Sequence, residues 1–296
     1  MTRLSFGVNV PTTAGPGADP VAQARAAEGF GFDFVSSSDH PCGTSPSHET
    51  WTMLTWIAAS TTRIRVATRV LGLPYRPPAM VAKMAETLDR LSGGRLILGL
   101  GGGYSDGEFA AFGLGVPSPA EKVAGLGEAV RLIRGLWSEQ SFTFAGQRYR
   151  TKAADLEPKP AHPIPIWLGT FGERALRVTG QVADGWIPSL GHAPAEALPA
   201  MRDRVLAAAE AAGREPERIT CALNVEVHLG DPVADHQKSR SARTRESLIA
   251  HRPPPGCPPG SWLAHPSRSP HAWRPSCRQG SPPSTSCLSA HRPPNK

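Results

Sequence analysis

Apolar residues alternate along the chain between two kinds of run. Short, nearly continuous runs read as strands: Leu4–Val10, Phe32–Ser36, Ile64–Leu71, Leu96–Leu100, Ile164–Leu168, Ala183–Ile187 and Ile219–Leu229. Between them lie patterns with apolar residues three and four apart, the spacing of one helical face. Val81, Met84, Leu88 and Leu91 make one such stripe, Val123, Leu126, Val130, Ile133 and Leu136 a second, and Leu198, Met201, Val205, Ala208 and Ala212 a third. Asp19 followed by Pro20 marks a helix start, because the side chain caps and proline needs no N–H there. A helix over about Glu49–Ser60, one opened by Pro77 and Pro78 and stopped by Gly93-Gly94, and one opening near Gly172 complete the series. The stretch from Ser141 to Pro165 reads as a short hairpin and a proline-rich arm, since a residue before proline avoids helix. Strands alternating with helices imply a parallel sheet. The expectation is an α/β fold, a (β/α)8 TIM barrel without its eighth strand, with a doubly wound sheet as rival.

After about Asp231 the pattern stops. Residues 252–296 carry twelve prolines and no period of two or 3.6. Such a composition buries too little apolar surface to offset chain entropy, so the expected division is a barrel domain over 1–231 and a disordered tail over 232–296. Because the change falls where an eighth strand is due, the favoured origin of the tail is a shifted reading frame in a GC-rich gene. A native disordered tail and a basic segment docking nucleic acid are the alternatives.

Composition alters the picture mainly through the tail. The net charge is +7, but residues 232–296 hold ten Lys/Arg against two Asp/Glu, so 1–231 carries 22 against 23 and is close to neutral. The body therefore gives no reason to expect a nucleic-acid partner. Five cysteines in no paired spacing do not suggest disulfides, and the tail's Cys and His lack zinc spacing, so no metal is expected. No apolar run of eighteen residues and no signal peptide is found, which leaves a cytoplasmic protein with no membrane partner as the default.

Four strand ends carry candidate chemistry. "LILGLGGGYSDGEFAAFG", Leu96–Gly113, resembles a dinucleotide turn, but Tyr104 stands where the third glycine of G-x-G-x-x-G is required. Its glycines fit a strand end that a flat ligand approaches closely, or a plain tight turn. "SSSDHP", Ser36–Pro41, puts Asp39 and His40 at a strand end, where histidine serves as acid or base near neutral pH, or where the Asp side chain and Pro41 merely stabilise a turn. "IWLGTFGERAL" sets Gly169, Thr170 and Gly172 before a helix, a place that favours phosphate or merely caps the helix. "VADGWIP" adds Trp186, more naturally a core residue.

Together "GFGFDFVSSSDH", "RIRVATRVLGLPYRPPAMVAKMAETLDRLSGGRLILGLGGGYSDGEFAAFG", "PKPAHPIPIWLGTFGERAL" and "VADGW" resemble the luciferase-like monooxygenase superfamily, and its deazaflavin (coenzyme F420) branch in particular, over residues 4–230. The resemblance implies a barrel with F420, or alternatively FMN, at its C-terminal mouth, and hydride or oxygen chemistry on a small-molecule substrate. It allows a homodimer. By the same resemblance His40 is the acid/base. The cofactor-binding set is Asp39, Thr68, Arg69, Val70, Gly101, Gly102, Gly103, Tyr104, Gly169, Thr170, Phe171 and Gly172. Arg69-Val70 falls at the family's non-proline cis peptide. In the sugar-phosphate dehydrogenase branch a catalytic glutamate ends the glycine turn, and Tyr104 in its place argues against sugar-phosphate oxidation. A truncated or frameshifted product with impaired cofactor binding is the alternative function.

Overall fold

A computed structural model describes residues 4–227 of the chain, and the tail expected over 232–296 lies outside them. The first strand, β1 (Gly7–Asn9), leads to α1 (Pro20–Gly29), whose cap is Asp19 accepting from the Ala22 N–H. β2 (Phe34–Ser37) is followed by α2 (Thr50–Ser60), where the Glu49 carboxylate accepts from the N–H groups of Trp51 and Thr52. The apolar run Ile64–Leu71 is not one strand. It forms β3 (Arg65–Thr68) and β4 (Leu71–Gly72), separated by a cis peptide between Arg69 and Val70.

A 3-10 turn (Leu73–Tyr75) then leads into α3 (Pro78–Ser92), which ends at Gly93 in the left-handed region, φ 72°. β5 (Leu96–Gly101) is wholly buried. Next come α4 (Asp106–Ala111) and α5 (Pro119–Ser138), the latter opened by a capping box between Ser118 and Glu121. β6 (Phe142–Ala145) and β7 (Arg150–Ala154) pair as the expected antiparallel hairpin. β8 (Ile166–Leu168), α6 (Glu173–Val182), β9 (Gly185–Trp186), α7 (Leu198–Ala211) and β10 (Thr220–Cys221) complete the described residues.

The main sheet runs β1-β2-β3-β5-β8-β9-β10, all parallel, with β4 also paired to β5. Each new strand is added on the same side as the last. A doubly wound sheet reverses direction at a switch point, so this order selects the barrel-type winding. Among the described residues the sheet is a curled part-barrel with β1 and β10 at its ends.

Both faces of the sheet are apolar, because alternate residues point to opposite sides. Val66, Leu96, Leu98, Leu100, Ile166 and Leu168 pack outward against the helices, where Leu54, Ile57, Val81 and Ile133 meet them. Ala67, Ile97, Trp167 and Ile187 point inward and form the barrel's own core, with Phe34 set edge-on to Trp167 at 5.9 Å. A third cluster, with Leu176, Trp186 and Val205, joins α6 and α7 to β9. Trp186 is a core residue, as its type suggested.

The terminal strands are shorter than their sequence runs. Leu4 and Phe6 are exposed before β1, and Leu223 and Val225 are exposed beyond β10. Alternation alone extends a strand, whereas ladder bonds end where a paired neighbour ends. Since all main strands are parallel, their carboxyl ends share one mouth, and the candidate residues lie there.

Candidate active site

The mouth holds a cavity of about 700 Å³. Its floor is Val70 and Ile187, the top of the inner barrel core. The glycines around Val70 are there for space. A Cβ on Gly101 would lie 2.5 Å from Val70 Cγ2, and one on Gly169 would lie 3.1 Å from Val70 Cγ1. Gly103 has φ 93°, which a side chain rarely adopts, and a Cβ there would meet the Phe109 ring at 2.3 Å. Backbone thus stands where side chains would otherwise close the space.

The structure brings most of the expected site residues to this cavity: Asp39, His40, Arg69, Val70, Gly101–Tyr104, Gly169 and Phe171 all line it. Three others stand beside it, committed to structure. Thr68 is buried, and its hydroxyl donates to the Gly99 carbonyl at 2.7 Å and accepts from the Gly99 N–H at 2.8 Å. Thr170 is buried against the Thr179 hydroxyl at 2.7 Å, and its carbonyl accepts from Trp186 Nε1. Gly172 is the cap of α6 and has open space around it.

Asp39 and His40 are fixed by another pair of adjacent residues, Tyr75 and Arg76. Both Asp39 oxygens engage the Arg76 guanidinium, at 2.8 and 3.2 Å, and one also accepts the Gly72 N–H at 2.9 Å. Arg76 also pairs with Glu49, the cap of α2. Burial works against the charge of Arg76, but the Asp39 and Glu49 carboxylates outweigh it and hold the guanidinium more firmly protonated than usual. Asp39 therefore lines the cavity with its hydrogen-bonding capacity spent on holding the β2 and β4 ends together.

His40 Nδ1 lies 2.9 Å from Glu108 Oε1, and Glu108 Oε2 accepts from the Tyr75 hydroxyl at 2.6 Å. An ionised carboxylate only accepts, so the proton of this bond sits on Nδ1 and Nε2 is left for other partners. Burial, together with the Glu108 carboxylate it donates to, pushes the Tyr75 phenol well above its ordinary range, so it remains a donor. Glu108 is largely buried while His40 is half exposed, with 14% and 49% side-chain accessibility. A fixed carboxylate thus sits behind an imidazole that opens on the cavity.

Neither Glu108 nor Tyr75 was singled out from sequence. Glu108 follows Tyr104 by four residues and was present in the quoted glycine motif, but α4 is too short to show a period. Tyr104 itself is 75% exposed and stands on the rim. It is edge-on to His40 at 6.5 Å and to His192 at 5.0 Å, and His192 in turn lies 5.3 Å from Phe171.

Comparison with known proteins matches this architecture. The sequence pattern of one family, described as luciferase-like monooxygenase, matches residues 4–270. The chain belongs to the luciferase-like monooxygenase family. The match passes the end at residue 231 drawn from composition, into residues outside those described. A relative from Nakamurella multipartita, named F420-dependent glucose-6-phosphate dehydrogenase, is 38% identical over 215 residues, covering 69% of this chain and 61% of its own length. One of the same name from Kineococcus radiotolerans is 35% identical, covering 71% and 64%. The chain thus spans somewhat over three fifths of the length of these relatives. Among solved structures, an F420-dependent secondary alcohol dehydrogenase with an F420-acetone adduct aligns with TM-score 0.69 and 24% identity, covering 75% of this chain and 68% of that one. The monooxygenase RslO1 from Streptomyces bottropensis aligns with TM-score 0.71 and 24% identity, covering 83% and 79%. These two share the fold.

Proposed function

We propose that this family member is an F420-dependent oxidoreductase that removes a hydride from a hydroxyl-bearing carbon of a small substrate, with His40 taking the hydroxyl proton. The observation that carries the reading is the His40–Glu108 pair opening on a cavity floored by Val70. The names of the curated relatives support the deazaflavin. The cavity also fits such a group. An apolar floor cleared by Gly101 and Gly169 accepts a flat ring, and about 700 Å³ leaves room for a small substrate beside it. Val70 would lie under the ring, with the Gly101–Gly103 and Gly169–Phe171 turns at its sides.

When bound, the deazaflavin supplies the hydride acceptor. The chain supplies position and the proton route. Nε2 of His40 accepts the hydroxyl proton as the C–H bond breaks, and the imidazolium so formed is stabilised by Glu108 across the Nδ1–H bond. Tyr75 holds Glu108 in that orientation. Val70, Ile187 and Phe171 present apolar surface that limits water around the reacting atoms.

Tyr104 argued against sugar-phosphate oxidation because it replaces a glutamate. The structure gives His40 a carboxylate from Glu108, one turn further on, and the relatives are named for glucose 6-phosphate. Glucose 6-phosphate is accordingly the first substrate to offer. The test is incubation of the full chain with F420 and glucose 6-phosphate or simple secondary alcohols, following loss of the oxidised deazaflavin's visible absorbance. Cofactor that binds but is never reduced by any of these would overturn the dehydrogenase reading.

Glu108→Gln keeps the shape and removes the charge behind His40. The expected result is a fall in kcat of about tenfold with KM unchanged within about twofold, because the carboxylate acts on the developing imidazolium and not on the bound substrate. Steady-state kinetics separates the two parameters.

A further inference from the structure

We infer that Arg69 is the receiving group for an oxyanion of the substrate, a phosphate or carboxylate, at the β1 side of the cavity. This rests on the oxidoreductase reading above and names the residue that would hold the anionic end of its substrate.

Arg69 lines the cavity at the end of β3. Its side chain passes the end of β2 toward β1, where one Nη donates to Asn9 Oδ1 at 3.0 Å. That neutral amide is the side-chain partner of its guanidinium among the described residues. The Nε atom is buried without a hydrogen-bond partner, and the ion pairs among the described residues do not include Arg69. Burial alone pushes its pKa down, with no neighbouring charge to offset it. Asp39 and Glu226 also line this cavity, but no ion pair among the described residues joins either to Arg69, and a largely desolvated guanidinium without a paired charge is costly, a cost that an anion relieves. Arg69 has the donors for one: of its five N–H, Nε–H is buried and Asn9 takes one on Nη, leaving the other Nη N–H groups for two oxygens of a carboxylate or phosphate.

The same features exist elsewhere in the site only in spent form. Arg76 is saturated by Asp39 and Glu49. The glycine turn Gly169–Gly172 follows β8, which is separated from β3 by β5, so it lies on the far side of Val70 from the Arg69 side chain. Val70 leans on Gly101 and Gly169 while Arg69 reaches toward Asn9. The two candidate anion positions therefore face opposite ends of the cavity. A cofactor phosphate at the β8 turn leaves Arg69 for the substrate.

Calorimetric titration of the full chain with inorganic phosphate, and separately with acetate, tests this against Arg69→Gln and Arg69→Lys. Phosphate is expected to bind the wild-type chain and to bind Arg69→Gln at least about tenfold more weakly, the size of a lost charged hydrogen bond. Acetate tells whether a carboxylate serves as well as a phosphate. Arg69→Lys retains the charge but not the fork, and is expected to fall between the two, which keeps the test open if the glutamine variant does not fold. The family resemblance also counts Arg69 among the cofactor contacts, so F420 affinity is measured on both variants, and on this inference it falls less than phosphate affinity does. Equal phosphate affinity in wild type and variants, or no binding of either anion to wild type, overturns the inference. So does a tenfold loss of F420 affinity, which would place the cofactor on Arg69. If F420 binds no form of the chain, the cofactor reading fails while the phosphate comparison still decides the role of Arg69.

Discussion

Replacing His40 with alanine is expected to lower kcat by about two to four powers of ten, the usual worth of a positioned acid/base group. Affinity for F420 should stay within about twofold, since the loss is confined to the proton-transfer step. The reason lies in where His40 stands. Its imidazole is half exposed at the rim, held by Glu108 at Nδ1 and flanked by Tyr104, whereas the floor of the cavity is Val70 and Ile187. Removing the ring takes away the proton acceptor and leaves the floor intact. Fluorescence titration of the cofactor and steady-state kinetics on one preparation separate the two. A kcat within threefold of wild type would contradict the role given to His40.

Gly99→Ala is expected to cost at least about 3 kcal/mol of folding stability, among the larger effects of any single substitution. Gly99 lies in the buried strand β5, and a Cβ there would sit 1.9 Å from the Thr68 carbonyl oxygen and 3.0 Å from its carbon. Backbone cannot swing away as a side-chain tip can. The β3–β5 pairing would have to open, and with it the paired bonds between the Thr68 hydroxyl and Gly99. Urea denaturation of the two proteins gives the difference, and a loss below about 1 kcal/mol would contradict the close approach of these strands. The glycine in the quoted "LILGLGGGY" is thus as much about strand packing as about a ligand.

Much of this fold was legible in the chain. The buried β5 and β8 appear as unbroken apolar runs because both of their faces are covered, and α3 and α5 as stripes because only one of theirs is. Asp19-Pro20 and Gly93 marked helix ends by local chemistry that needs no tertiary partner. What sequence could not give depended on distant contacts. The break between β3 and β4 occurs inside a run of strand-forming residues, and only the family resemblance pointed to Arg69-Val70. The doubly wound rival fell to strand order, which no local pattern encodes.

The site divides in the same way. Asp39, His40 and the glycine turns stand at strand ends, so position alone made them candidates. Glu108 matters because it meets His40, 68 residues earlier in the chain, and Arg76 because it meets Asp39 and Glu49. Thr68 and Thr170 also stand at strand ends, but the structure shows their hydroxyls turned to Gly99 and Thr179. The separation of residues 232–296 rests on composition, and the frameshift reading of that segment is tested by translating the other two frames of the gene after about codon 230. A continuation of the barrel in another frame supports it, and its absence from both rejects it.

Competitive titration of the full chain with F420 and FMN tests the proposed deazaflavin site above Val70 most directly. The prediction is saturable F420 binding at least about tenfold tighter than FMN. Tighter binding of FMN, or binding of neither, would contradict it.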